Sequence, residues 1–188
     1  LTSFEAPRDF GNNYGQRVRG FIHPPLTGSY TFWIAADDYA KVWLSTDEDP
    51  ANKVLRASVT GHTSPQQWTK YTSQKSVVVQ LQAGQRYYIE ALHKEGGGGD
   101  HLAVSWKVND LPQEVIQGQY LSTISDEDIG WPTGTGSGSL LREWWTGISG
   151  HTLDRLTQTA DFPRSPTGAA QLTSFEAPRD FGNNYGQR

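Results

Sequence analysis

Residues 30–45 read YTFWIAADDYAKVWLS. Tyr30, Phe32 and Ile34 alternate with Thr31 and Trp33, and then Ala40, Val42 and Leu44 alternate with Lys41, Trp43 and Ser45. Alternation with period two puts successive side chains on opposite faces of a strand. The stretch therefore predicts two strands, over 28–36 and 40–46, joined by a tight connection at Asp37-Asp38. The same pattern recurs at 16–23, 76–82, 86–94 and 101–108. Its repeating faces are Val18 with Ile22, Val77 with Val79 and Leu81, Tyr87 with Ile89, Ala91 and His93, and Leu102 with Val104 and Trp106. Pro24-Pro25, Thr27-Gly28, Asp49-Pro50 and Ala83-Gly84 separate the runs. Many short strands cut by such turns predict an all-β chain, an antiparallel β-sandwich of jelly-roll type. A short helix is expected around 150–157.

Composition narrows the function. With 20 Gly, 10 Pro, 7 Trp, 8 Tyr and 7 Phe but only 19% charged residues, the 188-residue chain favours strands and turns. A net charge of −4 excludes the basic surface that nucleic acid requires. Cys is absent, so neither disulfides nor thiolate zinc sites can form. No apolar run approaches the ~20 residues of a membrane span, so no membrane insertion is expected. Met is absent as well, and the chain reads as a fragment whose targeting information lies elsewhere.

Residues 1–17, LTSFEAPRDFGNNYGQR, recur unchanged at 172–188. The offset is a domain's length, which points to near-identical tandem repeats. Residues 124–138, ISDEDIGWPTGTGSG, hold the densest Gly/Pro/Ser/Thr cluster and read as the inter-repeat linker. Residues 1–123 are then the body of one repeat, and 139–188 the N-terminal part of the next. The sandwich is cut inside the domain, so that its N-terminal strands follow its body. Segment 139–171 carries Trp144, Trp145, Leu153 and Leu156, which must be buried somewhere. It either folds back on its own chain or completes a neighbouring copy by strand addition.

Two adjacent carboxylates in a tight connection repel unless a cation neutralises them. Calcium, with six to eight oxygen ligands in irregular geometry, suits Asp37-Asp38; the alternative is a solvated turn, where Asp is common. In Glu95-Gly96-Gly97-Gly98-Gly99-Asp100-His101 the glycines allow carbonyls to face a ligand, or simply form a loose hairpin loop. Asp47-Glu48-Asp49 and Asp126-Glu127-Asp128 lack the spaced pattern of calcium loops and read as solvated turns.

YTFWIAADDYAKVWLS, with NYGQRVRGFIHPPLTGSY before it and RYYIEALHKEGGGGDHLAVSW after it, resembles the lectin-like domain first described in anthrax protective antigen, the PA-fourteen family. LLREWWTGISG resembles that family's amino-terminal part, so the likeness covers essentially the whole module. The resemblance implies an antiparallel sandwich in which a cis-linked Asp-Asp pair holds calcium and sugar hydroxyls complete the coordination. Asp37 and Asp38 match that pair. A second loop supplies further ligands in the family; here it corresponds to 95–101, with Gly97 and Gly98 carbonyls and Asp100. It offers no Asn, which the family sometimes uses there. Sugar binding also calls for an aromatic platform. Tyr39 beside the acid pair and Trp68 and Tyr71 in the 61–75 loop are candidates, and His101 could donate to a hydroxyl. Each has packing or plain exposure as its alternative, and packing is the expectation for Trp33, Trp43 and Trp106.

No Gly-x-Ser-x-Gly elbow, His-Glu-x-x-His or phosphate loop occurs. The expectation is a non-enzymatic, calcium-dependent carbohydrate-binding repeat of an extracellular or cell-surface adhesin, bacterial in origin, whose tandem copies gain avidity for a glycan or polysaccharide. The alternative is a structural repeat of a surface filament, assembled with neighbouring copies by strand exchange, in which calcium only stiffens.

Overall fold

The computed structural model describes residues 3–124 and 139–172. The main strands are β1 (Glu5–Ala6), β2 (Tyr14–Ile22), β3 (Gly28–Asp37), β4 (Tyr39–Ser45), β5 (Lys53–Val59) and β6 (Val79–Leu81). They continue with β7 (Tyr87–Glu95), β8 (His101–Val108), β9 (Glu114–Val115), β10 (Leu121–Ser122), β11 (Leu140–Trp145) and β12 (Gly168–Leu172). One helix, α1 (Leu153–Thr157), lies between the last two strands.

The strands form two antiparallel sheets. One runs β1-β8-β3-β6 with β9 beside β8; the other runs β12-β11-β2-β7-β4-β5 with β10 beside β2. The alternating apolar residues meet between them. Val18, Phe32, Ile34, Val42, Ile89, Val104 and Trp106 belong to one buried cluster, with Trp106 fully enclosed. Each such side chain taken from water stabilises the sandwich by roughly 1.5–3 kcal/mol.

Where the structure departs from the pattern, the cause is local. Only 79–81 of the 76–82 run is a strand, and Val77 is 76% exposed rather than inward. Strand β5 was not expected; Val54 and Leu55 stand on it exposed at the sheet edge. Trp33 is buried, as expected, whereas Trp43 is only half-buried; the Lys75 and Lys53 ammonium groups lie 5.6 and 5.8 Å from their respective ring centres. Trp106 packs in the core, as expected.

Segment 139–172 docks on its own chain. Strand β11 pairs with β2, from Leu141 opposite Arg19 to Trp145 opposite Gly15. The Glu143 carboxylate accepts from Arg17 Nε at 2.7 Å and Arg19 Nε at 3.0 Å. Trp145, Ile148 and Leu156 form a separate apolar cluster, with Phe162 against it. A Cβ on Gly15 would lie 2.7 Å from Leu156, so glycine there lets α1 settle onto the sheet. Apart from Ile124, the expected linker lies outside the described residues, as do 173–188 of the second copy of the repeated segment.

Candidate functional site

The two sheets are linked directly at Asp37-Asp38. Asp37 ends β3 in one sheet, opposite His101, and Tyr39 begins β4 in the other, opposite Lys94. The Asp37-Asp38 peptide is cis. With Asp38 as the only residue between strands of different sheets, the acid pair sits at one end of the sandwich. There the end of β7 meets it: carboxylate oxygens of Asp37, Asp38 and Glu95 lie within 4.8 Å of one another.

Glu95 is the least expected member. It is fully buried, and neither carboxylate oxygen has a hydrogen-bond partner. Burial, and then the neighbouring Asp38, Asp100 and Asp37 charges, push its carboxyl up to about 8. Burial and Asp38 likewise raise Asp37. The adjacent Lys94 is buried too, and its ammonium donates to the Glu95 carbonyl oxygen, leaving the carboxylate unpaired.

Behind the acids lies a polar relay inside the sandwich. Arg142 Nε donates to Gln16 Oε1, and Gln16 Nε2 donates to His93 Nδ1 at 2.8 Å. With Nδ1 accepting, the His93 proton is on Nε2, which donates to the Asp37 carbonyl at 2.6 Å. Burial pushes His93 down to about 4, so it is neutral near pH 7. The relay holds the Asp37 carbonyl through a neutral His93, with the charge of Arg142 at its far end.

Two loops flank the cluster. In the glycine run, Gly96 N–H donates to Asp38 Oδ2 at 3.0 Å. Gly98 adopts φ +114°, a conformation suited to glycine. Gly97 and Gly98 are exposed. From the docked segment, His151 Nδ1 lies 2.7 Å from the same Asp38 Oδ2.

Not every candidate gathers here. Asp100 is buried, and its Oδ2 accepts from Gly11 N–H at 2.9 Å, tying the glycine run to loop 9–11. It lies outside the three-acid group. His101 is buried with Nε2 2.9 Å from the Thr63 carbonyl, which removes it from any ligand surface. Alternation puts Tyr39 on the outward face of β4 with Lys41 and Trp43. Tyr71 donates from its hydroxyl to the His62 carbonyl at 3.3 Å, and its ring packs against the core. Trp68 is half-buried in the same loop. That loop reaches the site through His62, which bridges to Asp37.

Glu95, His93 and His151 carry no sequence motif. His93 was nonetheless signalled by the alternation of 86–94, where it follows Ile89 and Ala91, whereas Glu95 lies one residue beyond that run and continues the strand. His151 had no such signal, because its place depends on β11 docking.

Residues 14–108 match the GLEYA domain. A mouse N-acetyl-beta-glucosaminyl-glycoprotein 4-beta-N-acetylgalactosaminyltransferase 1 is 43% identical over 122 residues, covering 61% of this chain and 12% of that protein. Mouse fibrocystin is 38% identical over 88 residues, covering 43% of this chain and 2% of that protein. The chain thus spans a small part of these relatives, and both are mammalian, giving no support to a bacterial origin. Among solved structures, the Epithelial Adhesin 6 A domain of Candida glabrata in complex with Galb1-3GlcNAc has a TM-score of 0.43 at 20% identity. That likeness covers 56% of this chain and 48% of the adhesin chain. The PA14 sugar-binding domain from an RTX adhesin has a TM-score of 0.42 at 17% identity, covering 56% and 52% respectively.

Proposed function

Since the chain belongs to the GLEYA domain family, a lectin-like family of PA14-like fold, we propose that it is a non-catalytic, calcium-dependent carbohydrate-binding module of an extracellular or cell-surface protein. The observation that carries the metal is Glu95. A buried carboxylate with two unpartnered oxygens, beside two more acids, is costly unless a cation occupies the group. The donors are all oxygens, as a hard divalent ion requires. Asp37, Asp38 and Glu95 would hold the ion, with carbonyls of the glycine run as further ligands. Calcium, when bound, supplies coordination positions that sugar hydroxyls can fill.

The chain's own residues do the rest. The relay ending at His93 steadies Asp37, and Gly96 N–H steadies Asp38. Exposed His62 and the exposed glycine tip stand at the rim. No group in this arrangement forms a nucleophile–base pair, so recognition without bond making is the reading we adopt.

Calorimetry and a glycan array test it together. Calcium should bind with one site per chain, and sugar capture should vanish with chelator or in Asp38→Asn. Absence of calcium binding at millimolar concentration would sink the reading.

The duplicated 17-residue segment favours a second reading, a structural repeat in a surface filament. In that case calcium would still bind and raise Tm, yet no glycan on the array would be captured.

A further inference from the structure

Asp38 Oδ2 is met by two groups, Gly96 N–H and His151 Nδ1, from separate segments of the chain. Gly96 N–H belongs to the loop after β7, whereas His151 precedes α1 and is 113 residues from Asp38. The two are in contact. A Cβ on Gly96 would fall 2.2 Å from His151 Nδ1, so glycine at 96 leaves room for the imidazole. The loop holding His151 is itself fastened to the site's surroundings: Ile148 N–H donates to the Asn13 carbonyl at 2.7 Å, and Asn13 N–H to the Gly96 carbonyl at 3.1 Å. Ile148 and Leu156 anchor its two sides in the apolar cluster with Trp145. His151 is therefore held by packing on both flanks while its ring remains 61% exposed.

We propose that His151 is a positioning residue of the metal site, which orients the Asp38 carboxylate for calcium by donating from Nδ1 to Oδ2. This inference rests on the calcium reading above. With Oδ2 engaged by His151 and Gly96, Oδ1 would be left for the ion, and Asp38 would hold it through that oxygen. The same bond fixes the imidazole tautomer: Nδ1 carries the proton, and Nε2 is left as an acceptor at the rim. Hydrogen bonds of this kind to metal-binding groups typically change metal affinity by 10–100-fold. Segment 139–172 is then part of the ligand site as well as part of the sheet.

Two measurements on the full chain test the proposal. In metal-free protein, long-range proton–nitrogen correlation spectra should show His151 protonated at Nδ1; an Nε2-protonated ring would overturn the assignment. Calcium titration by calorimetry should show affinity falling at least tenfold in His151→Ala. His151→Asn, whose amide can take the place of Nδ1–H, should return it to within about threefold of the parent chain. Equal affinity in parent and His151→Ala would refute positioning while leaving the calcium reading intact. A parent chain that binds no calcium would refute that reading, and the tautomer measurement would then judge the His151 contact by itself.

Discussion

The space between the two sheets has a dry middle and a polar end, built from the same strands in unbroken register. Along β7 the inward residues run Ile89, Ala91, His93, Glu95; along β2, read backward, they run Ile22, Val18, Gln16 and Tyr14; along β11, Leu140 and then Arg142. The backbone does the same work at both ends, since pairing continues to Tyr14 opposite Glu95. What changes is the side chains. In the middle, apolar groups release free energy on burial; at the end, Arg142, Gln16 and His93 form a hydrogen-bonded chain while both Glu95 carboxylate oxygens are left without a donor. Stability and the proposed site are therefore assigned to different stretches of the same elements.

That division can be broken first in the dry middle. Trp106→Ala removes a fully buried indole and should cost about 3–5 kcal/mol in denaturant unfolding. If less than ~1 kcal/mol is lost, the core lies elsewhere.

The polar end should respond to pH instead. Glu95 is held up to about 8, against an ordinary value of 4.5. Between those values the folded chain keeps a proton that the unfolded chain releases, so stability falls as pH rises. His93 acts with the opposite sign: its folded value of about 4 lies below the ordinary 6.5, so stability falls as pH drops through that window. Above pH 6.5 only Glu95 of these two titrates. Chelated protein should lose about 2 kcal/mol between pH 6.5 and 8.5, and Glu95→Gln should flatten that slope. Thermal melts in chelator, repeated with calcium, give both answers; a flat parent profile would mean the acid is paired in solution.

The smallest effect belongs to the loop that closes the polar end. Gly98→Ala meets no neighbour but must adopt φ +114°, and should cost about 1 kcal/mol. Gly97→Ala, with open space and no such φ, should stay within about 0.5 kcal/mol of the parent. Equal losses at both positions would show the loop to be packed rather than free.

Most of the sandwich was legible because burial on one face imposes period two, and β2, β3, β4, β7 and β8 carry it over many residues. The exceptions also have physical causes. Strand β5 places Val54 and Leu55 on an exposed edge, so apolar character there did not mark an inward face. Val77 resembles a core residue in type but precedes a three-residue strand and faces water. At the site, Asp37 and Asp38 were visible as adjacent acids, whereas Glu95 was hidden by belonging to a strand. Asp100 drew attention by its place at the end of a glycine run, yet its carboxylate serves as a cap for loop 9–11. Local pattern identifies faces; it does not say which of several acids is left without a donor.

Strand β2 is bordered by β7 on one side and by β11 on the other, and the Arg17–Glu143 bond joins residues 126 positions apart. On that second side β11 covers Gly15–Arg19 and β10 covers Phe21–Ile22, so this flank of β2 is filled piecewise by segments distant in sequence. A chain lacking β11 would present Gly15–Arg19 as an open edge in the larger sheet, the kind of surface on which incomplete chains adhere to one another.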